Sequence, residues 1–402
     1  MRNWFTLLLL LGIAWPAMAA KTMSVEQVEQ LLVKLHGKPD GRVAGELEQV
    51  ELTERVSMAR LVRWETDFPG KRTQEALIGL ADTAAFLNPP QLDVIPDPPP
   101  EKETQQRMLE LAVDYVKTTM TRLPNFYATR ETTHFENMPV PVAIGTGISN
   151  GAGRGMRALR SRETAVTMTD SKWLRSTGAY SAVVTYREGQ EVPDAATGSG
   201  REKGQPPVGL TTSGEFGPIL MVVIGDATRG RVSWLRWEKG TSEPVAVFGY
   251  SVPQDLSNFG VTTSEGAKID EVYPGYHGEI AIDPATGEIL RISAVADLPP
   301  PHDRVLNALL VEYAPVSIGG SSYICPVRGV AFSKKPVPGR PEEKHDANVP
   351  ALMRTQLNDV AFTHYHLFRA EVRIVGSGSG KSDAAPTGTA GSGSAQPPSQ
   401  PQ

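Results

Sequence analysis

From Val25 to Leu87 apolar residues recur every three to four positions, the spacing that lines one side of a helix. The stretch SVEQVEQLLVKLHG opens on Ser24 with Gln27 three residues later, the pattern of a capping box. It carries Val25, Val28, Leu31, Leu32 and Leu35 as one stripe, and Gly37 and Pro39 end it. Asp40 is the expected cap of a second helix with Val43, Leu47 and Val50. Thr53 is the expected cap of a third, running through ERVSMARLVRWE to Pro69-Gly70. Thr73 is the expected cap of a fourth, with Ala76, Leu77, Leu80, Ala84 and Leu87. Four amphipathic helices with short connections predict an N-terminal helical bundle over residues 21–87. The proline density of NPPQLDVIPDPPPE excludes helix and central strand, which makes 88–100 a stiff linker. The next stretch, EKETQQRMLELAVDYVKTTM, predicts a further helix with Met108, Leu111, Ala112, Tyr115 and Val116 on one face.

Beyond Leu123 the period falls to two. FYATRETTHFE, AYSAVVTYRE, RVSWLRWE, PVAVFGYSV, YHGEIAI, EILRISAVA, NALLVEY and NDVAFTHYHLFRAEVRI alternate and are rich in aromatic and β-branched residues, as strands are. SGEFGPILMVVIG fits either a buried strand or a short helix; Ser213 as a cap favours the helix. Strand follows strand without regular intervening helices, so the sheet is expected to be antiparallel. The fold class is therefore α+β: a helical bundle, then an antiparallel, incompletely closed barrel-like sheet with packed helices over 101–375. The tail over 376–402, GSGSGKSDAAPTGTAGSGSAQPPSQPQ, has almost nothing to bury and reads as disordered.

The first twenty residues, MRNWFTLLLLLGIAWPAMAA, place one cation before an apolar core and small residues at Ala17 and Ala19. That is the grammar of a secretory leader, too short for a membrane span. Export to the periplasm or the exterior follows, with no transmembrane span in the mature chain. Loss of the leader removes Arg2 and no acid, so the formal charge moves from −5 to −6. Mild acidity argues against a nucleic-acid partner, which would need clustered Lys and Arg. Cys325 is the only cysteine, so an intrachain disulfide and a multi-cysteine zinc site are excluded. Its apolar surroundings make it a small core residue.

Candidate chemistry is sparse. In DPATG, Asp283 is placed to bond the turn backbone, Pro284 presets the next φ and Gly287 takes a positive φ. Asp283 is therefore the corner of a hairpin, with Ile280 and Ile282 facing Ile289 and Leu290 across it, rather than a catalytic carboxylate. GISNG matches the nucleophile-elbow pattern and nominates Ser149 for a serine hydrolase, but that motif requires a strand–turn–helix setting which the remaining order does not supply. Arg154, Arg157, Arg160 and Arg162 in the same loop read as solvated surface. His364 and His366 share one face of a regular strand, two ligands of an incomplete metal set. Trp234 and Trp237, three apart, are expected on opposite faces. No catalytic residue, metal site or cofactor is assigned.

The order YHGEIAIDPATGEILRISAVAD, then ALLVEYAPVSIGGSSYICPV, resembles the LolA/LppX/RseB-like superfamily of exported bacterial proteins, best from Glu271 to about Ile374. The resemblance implies a curled, open antiparallel sheet with helices against its concave face and an apolar cavity for acyl chains or lipoprotein-like ligands. Carried onto this chain, it makes Tyr250, Tyr276 and Ile280 the candidate ligand-binding residues. The expected function is non-enzymatic binding of an apolar ligand, lipid or lipoprotein in the envelope. The rival readings are a serine hydrolase using Ser149 and a module that binds another envelope protein.

Overall fold

The computed structural model describes residues 21–137, 140–148, 162–169, 174–192, 210, 214–241, 243–265, 268–300, 305–336 and 353–368. The expected leader, Ser149, the arginines 154, 157 and 160, Ser213 and residues 376–402 lie outside them.

The N-terminal segment holds four helices, α1 (Val25–Leu35), α2 (Asp40–Leu47), α3 (Met58–Asp67) and α4 (Lys71–Thr83). It is not purely helical: β1 (Lys21–Met23) pairs in parallel with β2 (Val50–Leu52), so Val50 belongs to a strand rather than to α2. The capping box at Ser24 and Gln27 forms as its spacing predicts. The other expected caps are displaced. Ser57, not Thr53, caps α3, its hydroxyl accepting from Arg60 N–H; Thr53 N–H is taken instead by the Met23 carbonyl at 3.0 Å. Asp40 does not cap its own helix. Its carboxylate turns to the start of α4 and accepts from Arg72 N–H at 3.2 Å and Thr73 N–H at 2.9 Å. An acid at that helix end also offsets its dipole. Gly70 leads into α4 because a Cβ there would stand 2.3 Å from Asp40 Oδ1. The apolar stripes close on one another through Val28, Leu32, Leu47, Leu61, Trp64 and Leu77.

The proline-rich stretch contributes the short strand β3 (Val94–Ile95) and leads into α5 (Lys102–Arg122). The strands that follow are β4 (Phe126–Glu136), β5 (Val140–Ile148), β6 (Arg162–Thr169), β7 (Arg175–Arg187) and β8 (Gln190–Val192). Then come the helix α6 (Pro218–Ala227), the pair β9 (Arg231–Lys239) and β10 (Pro244–Val252), and the ribbon β11 (Val261–Glu265) and β12 (Lys268–Val272). The run ends with β13 (Gly275–Ile282), β14 (Ile289–Asp297), β15 (Leu306–Ile318), β16 (Ser321–Pro336) and β17 (Met353–Leu367). Eleven strands form one antiparallel sheet in the order β3-β9-β10-β13-β14-β15-β16-β17-β4-β7-β8, which is not closed into a barrel. β5 with β6, and β11 with β12, are separate ribbons. The fold is thus α+β, with six helices among the described residues.

Both faces of the sheet are covered. On the inner face lie α5, through Met108, Ala112 and Val116, and α6, through Ile219, Leu220 and Val223. On the outer face, Ala85 and Phe86 just beyond α4, with Ile78 within it, meet Phe135, Phe332 and Leu357. The described residues form one compact unit.

Two bulges overturn readings based on regular alternation. Trp234 pairs with Phe248 and Arg236 with Val247, so Leu235 is the extra residue. The bulge returns Trp237 to the face of Trp234, and their rings meet edge to face at 4.8 Å. A second bulge separates Thr363 from His366, and His364 sits at φ 51°. His366 lies against Tyr127 at 5.2 Å, while His364 Nδ1 is 2.9 Å from Thr363 Oγ1. Among the described residues no group of three His, Cys, Asp or Glu is placed to hold a metal.

The hairpin at Asp283 is built as its residues dictate. The carboxylate accepts from Ala285 N–H at 2.8 Å and Thr286 N–H at 2.9 Å, and Gly287 N–H donates to the Asp283 carbonyl. Across the turn Ile282 pairs with Ile289; Leu290 packs instead with Val245, Val247 and Ala281 on the outer face. Gly287 has φ 78°, and a Cβ on it would lie 2.4 Å from the Leu111 backbone of α5. Gly287→Ala is therefore expected to destabilise the protein by about 1–2 kcal/mol from the left-handed backbone alone. The collision with α5 adds to this, and a lowered urea midpoint would show it.

Candidate functional site

The inner face carries the largest hydrophobic cluster among the described residues. Alternation along the strands aims Phe126 and Ala128 of β4, Phe248 and Tyr250 of β10, Tyr276, Ile280 and Ile282 of β13 and Ile292 of β14 to one side. Rings gather there: Phe126 stacks on Tyr186 at 5.0 Å, Phe216 meets Phe362 at 4.7 Å, and Tyr250 meets Tyr276 at 5.7 Å.

Tyr250, Tyr276 and Ile280 all lie on this face, at 4 %, 0 % and 2 % exposure. Tyr250 Oη donates to the Ser293 carbonyl at 2.6 Å and Tyr276 Oη to Asp226 Oδ2 at 3.0 Å. Burial, with the Asp226 charge near both, drives the two phenols far above the ordinary tyrosine value, so each stays a neutral donor. Gly278, between Tyr276 and Ile280, lets the strands close up: a Cβ there would meet the Ser293 carbonyl at 1.9 Å. The face is filled rather than hollow. The void among Tyr115, Phe126, Phe216, Leu220 and Cys325 is about 10 Å³, room for one water at most. The Cys325 thiol, pushed up to about 12 by burial, is inert there.

What covers the face is α6, whose run PILMVVIG is apolar nearly all round. Two acids that the sequence reading passed over fix its ends. Before its first turn, Glu215 Oε1 accepts from Arg130 Nη2 of β4 at 3.0 Å. In its last turn, Asp226, 1 % exposed, accepts from Tyr276 Oη, from Asn258 N–H and Nδ2, each at 2.7 Å, and from Arg229 at 2.5 Å. The available signal was an acid ending an otherwise apolar helix, a position that demands buried donors.

A second space lies on the other side of the sheet. A cleft of about 360 Å³ opens between α2, β2 and α4 and the outer face, lined by Leu52, Ala76, Leu80, Phe332, Lys334 and Thr355 among others. No family model, no curated protein and no solved structure matches the chain.

Proposed function

We propose that the chain is an exported, non-enzymatic protein of the cell envelope that binds an apolar or amphipathic ligand, a lipid or the acyl part of a lipoprotein, against the inner face of its open sheet. In this reading the structure is the closed form, and α6 is the movable part of the cover. The observation that carries it is the pairing of a largely apolar sheet face with a helix that is apolar from Pro218 to Gly225 and has its acidic anchors, Glu215 and Asp226, at its two ends. A helix held in this way separates as a unit and exposes greasy surface on both sides, which suits an acyl chain. The leader and the LolA/LppX/RseB-like order of hairpins agree with an envelope role. No helix among the described residues is long and apolar enough to cross a membrane.

The test is direct. Mature protein isolated from the envelope is extracted for bound lipid, and the delipidated protein is titrated with a fluorescent fatty acid. Saturable uptake, lost when a disulfide ties α6 to β10, supports the reading. Absence of both lipid and uptake in folded protein overturns it.

A further inference from the structure

A band of charge crosses the outer face of the sheet, and the N-terminal segment closes over it. The sheet supplies Arg236 and Glu238 of β9, Glu279 of β13, Arg291 of β14, Glu312 of β15, Arg328 of β16 and Asp359 of β17. Arg291, Glu312 and Arg328 stand directly opposite one another on successive strands. From the N-terminal side, Arg55 reaches Glu238 at 3.0 Å and Glu279 at 3.4 Å. Asp82, in the last turn of α4, pairs with Arg328. Glu65 of α3 lies within the fields of Arg328 and Asp359. Six carboxylates thus share four guanidiniums.

The two ends of the band differ. Around Glu238 cations prevail: Arg236 at 2.7 Å, Arg55 and Arg291 at 3.0 Å. Burial pushes the Glu238 carboxyl up, but Arg291, Arg55 and Arg236 together outweigh it and bring it down to about 2. Around Arg328 acids prevail. It holds Asp82, Glu312 at 3.3 Å and Asp359 at 3.1 Å, with Glu65 nearby. Asp82 is fully buried and its Oδ2 has no hydrogen-bond partner, so its charge is met through Oδ1 by Arg328. Burial raises Glu312, and it raises Asp359 against the pull of Arg328. Burial and then the Asp359 charge raise Glu65. The N-terminal segment meanwhile has its own core, which includes no residue of the eleven-stranded sheet, and a smaller apolar contact joins its Ile78, Ala85 and Phe86 to the sheet.

We propose that residues 21–87 form a cap locked onto the outer face by a proton shared among the carboxylates around Arg328, and that loss of this proton loosens the cap. Carboxyls that hold protons better in the docked form stabilise docking fully at low pH and cease to do so as pH climbs through their raised range. Glu238 acts in the opposite sense: its contribution is present above the ordinary glutamate range and is lost only as pH falls towards about 2. Docking is thus tightest in mild acid and weakens towards neutrality. The cleft of about 360 Å³ lies along the same seam, so loosening widens it.

The experiment uses the full mature chain with dyes on cysteines at two exposed sites, Val33→Cys in α1 and Leu235→Cys in β9; buried Cys325 stays unlabelled. Energy transfer is followed from about pH 5 to about pH 8. The open fraction is expected to grow by up to about tenfold per pH unit, the limit for one linked proton. Amide exchange should quicken in α3 and α4 while α5 and α6 hold steady. Asp359→Asn should flatten the response; if that variant does not fold, the half-buried Glu65→Gln should shift it. Constant transfer in folded wild type overturns the proposal. So does an unchanged response in both variants, or exchange that quickens equally in α5 and α6.

Discussion

Arg328→Ala is expected to cost about 3–5 kcal/mol of folding free energy, the range for removing one partner from a buried ion pair. Arg328 is 7 % exposed and ties the end of α4 to three strands at once, through Asp82, Glu312 and Asp359. Its removal leaves three carboxylates crowded in a dry seam, where the cations still acting on Glu312 are Arg291 and Arg55, both of which Glu238 and Glu279 also engage. Urea unfolding followed by tryptophan fluorescence measures the loss. Two controls separate its causes. Arg328→Met keeps the length and apolar stem, so a cost close to that of alanine assigns the effect to charge. The loss should also shrink in acid, where the abandoned carboxylates take up protons. By contrast, Arg187→Ala breaks a pair with Glu188 in which both side chains are more than half exposed, and a change within about 0.5 kcal/mol is expected.

Local patterns were legible in the sequence wherever neighbours along the chain decide the outcome. The stripe of α1, its capping box and the Asp283 corner depend on residues within a few positions of one another, and each forms as read. The other caps failed because a tertiary partner claimed the side chain: Asp40 serves a helix that begins thirty-one residues later. The tryptophan and histidine pairs failed for a different reason. Period counting assumes an unbroken pleat, and one inserted residue in each strand exchanged the faces beyond it.

The inner face was legible only in part. Alternation put Tyr276 and Ile280 on one side of their strand and the resemblance nominated them with Tyr250, but neither told which side was inner or that α6 would press on it. The charge band was not legible at all. Arg291, Glu312 and Arg328 are separated by sixteen residues or more, and nothing short of the strand register brings them into line. In the sequence they look like ordinary solvated charges on strands, whereas the N-terminal segment makes them interior.

Asp226→Ala is expected to free the C-terminal end of α6 without unfolding the sheet. The carboxylate answers Tyr276 Oη and both donors of Asn258, and loss of an acceptor leaves a buried donor at a cost of about 1–3 kcal/mol each. Arg229 is half exposed and recovers its hydration, so it adds little. The burden falls on the contact between α6 and the strands, because the donors left behind belong to β13 and to the loop after β10. Amide exchange in α6 should quicken by about a hundredfold, the equivalent of roughly 3 kcal/mol, with β13 to β16 unchanged. If α6 covers a ligand site, the same variant takes up a fatty-acid probe more readily, by up to the factor through which opening has become easier. Asp226→Asn, which keeps one acceptor oxygen, should fall between wild type and alanine in both readouts. Faster α6 exchange with no gain in uptake would separate the helix from the binding role and leave it a structural clasp.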